Sequence, residues 1–234
     1  MKNLYLILIS IITLNACNKK KPTNLVDSVL SNLKINETEC WSEFIIEQRL
    51  SKSESIVFIP KIKKYGEGKT IDAYLLIVNN KTGEIESRFT KKDCWFSDAV
   101  RLENIKIIYK PYKISEESET IGILTSYYGS SRVNPYSSKE LSIFERKGEY
   151  LKRILEDFPT YTLNGENNGN SNGEYIEHKK TIKPQVNSKT EFYDLKVIDS
   201  IIKIEYEEGI KKIIEKLEKT ESLEYIDGIY KNVL

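Results

Sequence analysis

The sequence predicts a mainly β protein, an antiparallel sandwich or barrel-like domain with a short helix near its N-terminus and an amphipathic helix near its C-terminus. Three observations carry this. From about residue 53 short, apolar, β-branched runs recur with turn residues between them. Within 120–128 the alternation is clean, with Ile121, Ile123, Thr125 and Tyr127 on one face and Gly122, Leu124, Ser126 and Tyr128 on the other. After Gly209 the period changes: Ile210, Ile213, Ile214 and Leu217 fall at i, i+3, i+4 and i+7 among lysines and glutamates.

Taken in order, residues 23–34 place Leu25, Val26, Val29, Leu30 and Leu33 at helical spacing behind a cap at Thr23 or Asn24. Ser55–Ile59 reads as a short strand limited by Pro60, and Ile71–Val78 as a stronger one. The latter is joined by Asn79–Gly83 to Glu84–Phe89, a hairpin with an Asn/Gly-bearing loop. Further strands are expected at 104–109 and 120–128, with a hairpin of 141–144 and 150–155 turning at Lys147-Gly148. Beyond the polar loop 164–173, strands are expected at 174–182, 192–198 and 201–206, and then the helix at about 209–220. A propeller is the second reading, because Asn80–Phe89 has the look of a blade turn and outer strand, but no blade signature repeats.

The start of the chain has a different character. Lys2 precedes an uncharged run, Leu4–Leu14, interrupted only by Ser10 and Thr13. As a helix that run rises only about 16 Å, too short to span a bilayer and suited to a signal-peptide h-region. It ends in Leu14-Asn15-Ala16-Cys17, which resembles the lipobox of bacterial lipoproteins. The resemblance implies cleavage before Cys17 and a diacylglyceryl thioether on that cysteine as the membrane anchor, with two chains giving stable attachment. On this reading residues 1–16 are a lipoprotein signal peptide, 17–24 a lipidated tether and 25–234 a single β-rich domain. The address is the bacterial cell envelope, facing the periplasm.

Removing residues 1–16 takes away Lys2 and no acid, so 36 basic and 35 acidic residues become 35 of each. A charge-balanced chain lacks the concentrated basic face that nucleic acid requires, so nucleic acid is excluded as a partner. With Cys17 acylated, Cys40 and Cys94 remain, each followed by tryptophan. In an oxidising compartment an even pair is read as a disulfide, which would close a loop of about 55 residues and add about 4 kcal/mol in the chain-entropy model. The alternative is two separate buried thiols. Two cysteines and the lone His178 do not make a zinc set, so no metal and no cofactor are implied.

Tyr127, Tyr128, Arg132 and Tyr136, in a segment rich in Gly, Ser, Asn and Pro, are the candidate partner-binding residues. Tyrosine offers flat contact area at low entropy cost, and arginine is enriched at hot spots. The alternative is an ordinary loop whose tyrosines cover the sheet edge. Trp95 joins this set as an aromatic contact or a sugar-stacking surface; the alternative for it and for Trp41 is packing around a Cys40–Cys94 bridge. The segment Leu163–Glu174 superficially suggests a calcium loop but holds only Glu166 and Glu174 as carboxylates.

No catalytic residue stands out. His178 is the only histidine, and neither a Gly-x-Ser-x-Gly elbow nor a phosphate loop occurs. The leading expectation is a non-enzymatic envelope lipoprotein that binds another envelope protein, as an inhibitor or immunity-type protein or an accessory subunit. The alternatives are a periplasmic glycan hydrolase with paired carboxylates and a carbohydrate-binding module using Trp95 and the tyrosines.

Overall fold

A computed structural model describes residues 24–168, 172–186 and 190–233. The chain opens with α1 (Leu25–Leu33), whose N-terminus is capped by the Asn24 side chain accepting from the Val26 N–H at 3.0 Å. Two 3-10 turns, Glu37–Glu39 and Ser42–Phe44, lead into the strands. These are β1 (Ile46–Arg49), β2 (Glu54–Tyr65), β3 (Gly68–Asn79), β4 (Ile85–Ser97), β5 (Val100–Tyr109) and β6 (Thr120–Gly129). They continue as β7 (Tyr136–Lys147), β8 (Tyr150–Asn167), β9 (Gly173–Gln185), β10 (Asp194–Glu207), β11 (Ile210–Ile226) and β12 (Ile229–Val233).

All twelve strands belong to one hydrogen-bonded sheet that does not close into a barrel, so a single open sheet stands where separate sandwich layers were expected. Its path runs β1-β2-β3-β4-β8-β9-β10-β11-β12, and β5-β6-β7 attach through the β7–β8 pairing. Nearly every junction is an antiparallel hairpin. The exception is β4–β8, a parallel contact at Arg88↔Tyr150, where the Arg88 N–H donates to the Glu149 carbonyl at 3.0 Å.

The sheet folds over itself so that β2 and β3 are buried on both faces, which is why they read as continuous apolar runs. On β2, odd-numbered Val57 and Ile59 meet α1, together with Leu76 and Val78 of β3. Even-numbered Ile56 and Phe58, with Leu75 and Ile77, face the opposite way onto Leu102, Ile105 and Ile107 of β5 and Ile121 and Ile123 of β6. The far side of β7 and β8 (Leu141, Ile143, Ile154, Leu155) then packs on Ile182, Leu195, Val197 and Leu223. Three apolar layers thus stack through the protein, and burial of this kind contributes about 25 cal/mol per Å² of apolar surface.

The strands run longer than the sequence pattern suggested. β2 passes through Pro60, whose carbonyl accepts from the Trp41 N–H at 2.9 Å, and 192–198 and 201–206 merge into β10. The one outright reversal of element type is at 209–220, which is strand and not helix. Two type I′-like turns bracket β11: Glu208 and Gly209 have φ of 50° and 79°, and Asp227 and Gly228 have φ of 54° and 87°. The helical spacing of Ile213 and Ile214 comes from a bulge: Ile213 pairs with Ile204 and Glu215 with Lys203 of β10, and Ile214 is the extra residue between them.

Candidate functional site

Antiparallel pairing places directly opposite residues on one face. At the open end of β8, β9 and β10 it sets Glu166 opposite Glu174, and Glu174 opposite Glu205. Three carboxylates therefore stand side by side across three strands. Like charges directly opposite each other oppose sheet formation, so the fold carries this ladder at a cost.

The ladder borders a groove of about 740 Å³, whose lining also includes Asn134, Ile176, Lys203 and Ile214. Ile176 is 41% exposed and Ile214 is 58% exposed, so apolar surface stands open beside the carboxylates. The floor is ordered by Tyr175, which packs over Gly165 and makes an edge contact with Tyr206 at a centroid distance of 5.2 Å. Lys203 is engaged by Glu215 of β11 and leaves the three-carboxylate row without a salt bridge among the described residues. The β6–β7 connection pins the other wall: the Gly165 N–H donates to the Pro135 carbonyl at 2.9 Å and the Asn167 N–H to that of Val133 at 2.7 Å.

The residues singled out from sequence do not converge. Tyr127 and Tyr128 lie within β6 and alternate faces: Tyr127 packs on the core between β2–β3 and β5–β6, while Tyr128 is exposed. Burial, with Glu140 and Asp157 nearby, pushes the Tyr127 hydroxyl well above its ordinary range. Arg132 is exposed on the connection, and Tyr136 opens β7 opposite Asn164. It is that connection's Asn134, not its tyrosines, that reaches the groove.

Trp95 is corrected as a contact residue, since it is 6% exposed and packs on Phe58. Its indole N–H donates to Asp157 Oδ1 at 3.3 Å, and its burial in the core leaves no ring face open to a sugar. The Cys40–Cys94 bridge is also corrected, because both are free thiols. Cys40 joins the layer under α1, whereas Cys94 packs on the opposite face of β2–β3, so the sheet itself separates them. Cys17 lies outside the described residues.

Two polar arrangements elsewhere are structural in character. His178 Nδ1 lies 2.9 Å from Asp199 Oδ2, and its cross-strand neighbours are Thr162 and Ile201. Asp157, in the left-handed region at φ 41°, accepts from Trp95 and from Ser142 Oγ at 2.9 Å and faces Arg153 Nη1 at 3.6 Å. Burial and then Asp157 raise the neighbouring Glu140 carboxyl above its usual range. A raised carboxyl suits acid–base chemistry, but Asp157 beside it is committed to three partners and neither residue lines the groove. Of the Leu163–Glu174 calcium-like segment, 163–167 end β8 and 173–174 begin β9.

Sequence reasoning missed Glu205 and the ladder, because three acids about thirty and eight residues apart become neighbours only through strand register. Compared with family models, with curated proteins and with solved structures, the chain has no match.

Proposed function

We propose that this chain is a lipoprotein of the bacterial cell envelope, anchored through Cys17, whose β-rich body is a non-enzymatic binding module for another envelope protein. The observation that carries the binding role is the Glu166–Glu174–Glu205 ladder beside exposed Ile176 and Ile214. Carboxylates set directly opposite one another, with Lys212 across from Glu205 as the one facing cation among their cross-strand partners, beside apolar surface suit a segment that brings lysine or arginine together with apolar side chains. Electrostatic complementarity of that kind sets register and on-rate, and the isoleucines supply the desolvated contact. An inhibitor, an immunity-type protein and an accessory subunit all work in this way. The reading needs no cofactor.

Anchor and groove are tested separately. Fatty-acid labelling marks the wild type and is lost in Cys17→Ser; labelling that survives removes the anchor as placed. Crosslinking of the full chain in its own membrane captures a protein partner, and Glu166→Gln, Glu174→Gln and Glu205→Gln together abolish the capture. Capture that is unchanged in the triple variant removes the groove as the contact surface.

A further inference from the structure

Away from the groove, β11 has an outer edge that no other strand among the described residues covers along most of its length. β12 pairs only with Ser222–Ile226, so among the described residues Ile210–Glu221 has no strand on its outer side. An edge of this length presents unpaired N–H and C=O groups and is a template for another strand. Natural edges are commonly blunted by charged side chains, above all lysine. The charges on this one alternate in sign, Glu215-Lys216-Leu217-Glu218-Lys219, with Leu217 43% exposed.

The order of those charges selects an occupant. Two copies pairing antiparallel edge to edge about a twofold axis perpendicular to the sheet keep each face against the same face. Opposed residues must then share numerical parity, and the axis passes through one residue. Axes through Lys211, Lys212, Ile214, Glu215, Lys216, Glu218 or Lys219 all set like charges opposite each other; through Ile214, for example, Lys212 meets Lys216. With the axis at Leu217, Leu217 meets Leu217, Lys216 meets Glu218, Glu215 meets Lys219 and Ile214 meets Thr220. Each charged pair occurs twice, one kind on each face of the sheet.

The limits of the edge agree with this register. Pairing about Leu217 uses Ile213–Glu221, and Ser222 is the residue at which β12 begins to occupy the edge. From Glu215 onward the β10–β11 pairing is free of bulges, so the central pairs lie on regular strand. Axes at Ile210, Ile213 and Thr220 also avoid like charges, but the first lies at the Glu208–Gly209 turn, the second is centred on the bulge, and the third keeps only Lys219–Glu221 before β12 occupies the edge. Lys216, Glu218 and Lys219 make no ion pair among the described residues, so they are available to a second chain.

We propose that the free edge of β11 pairs antiparallel with β11 of a second copy of this chain, in the register centred on Leu217, making one sheet continuous across a twofold dimer. This goes beyond the partner-binding reading and does not rest on it. The test uses the full chain in mild detergent. The oligomeric state is measured by light scattering, together with the yield of disulfide-linked dimer for Leu217→Cys under mild oxidation relative to the unsubstituted chain. Directly opposed residues sit about 4.5–5.5 Å apart, within disulfide reach, whereas Ile210→Cys in the same register lies about 46 Å from its own copy. The expected result is a dimer that links through Leu217→Cys and not through Ile210→Cys. Glu218→Lys then sets Lys216 against lysine twice and weakens the dimer about tenfold or more. Lys216→Glu with Glu218→Lys restores it. A monomeric chain overturns the proposal, as does a dimer indifferent to Glu218→Lys, or an edge that takes up a different protein and leaves Leu217→Cys unlinked.

Discussion

Arg146 Nη2 on β7 lies 2.8 Å from Glu54 Oε1 on β2, binding two strands that are distant along the sheet path. The same guanidinium reaches Glu86 Oε2 at 3.3 Å and Glu119 Oε2 at 3.5 Å, and its Nε donates to Ser87 Oγ at 3.1 Å. Ser87 in turn donates to the Gly148 carbonyl at 2.6 Å, fixing the β7–β8 turn against β4. One cation thus gathers three carboxylates at the place where the folded-over parts of the sheet meet.

The hydrogen bond from Arg146 holds the Glu54 carboxyl below its ordinary range. A depressed folded-state value means that its stabilisation is present above the unfolded value and is lost as pH falls through the folded one. Thermal melts should therefore fall below the usual carboxylate range, and less steeply in Arg146→Met. That variant leaves three carboxylates facing one another and should lose about 2 kcal/mol at neutral pH. Equal acid sensitivity in wild type and variant would dismiss the cluster as the origin.

Gly228→Ala distinguishes a strand from a helix at the C-terminus. In a continuing helix the change would stabilise, whereas at φ 87° in a hairpin turn it should destabilise by about 1 kcal/mol or more. Chemical denaturation of the two proteins decides the sign.

The thiols should behave as two separate buried groups. Burial pushes the Cys94 thiol up to about 11 and raises Cys40 as well, so little thiolate exists at neutral pH. Alkylation of the folded chain at these two positions should be slow and should accelerate on unfolding. A reductant should leave the melting temperature unchanged, and a drop would reinstate the bridge.

Much of this fold is legible in the sequence where one local rule governs. β3, β6 and the β7–β8 hairpin follow from alternation or apolar runs closed by a glycine-bearing turn, and α1 follows from spacing and its Asn24 cap. β11 is misread because a bulge and an exposed edge imitate helical period, though Asp227-Gly228 is itself a hairpin signal in the sequence. Cys40 and Cys94 mislead because pairing depends on which side of a sheet each faces. The glutamate ladder is invisible without register, since no local pattern links Glu166, Glu174 and Glu205.

The ladder predicts a conflict between stability and binding. Glu174→Lys replaces two repulsive cross-strand pairs with attractive ones and should stabilise the fold by about 0.5–1 kcal/mol at low salt. The same variant should lose the envelope partner. A destabilised variant would mean that the carboxylates are not in tension.

The most direct test places a photo-crosslinking residue at Ile176 in the anchored, full chain within its own membrane. One discrete adduct with an envelope protein other than the chain itself is expected, abolished by Glu174→Lys. No adduct, or one whose yield is unchanged by Glu174→Lys, would contradict the binding role of the groove.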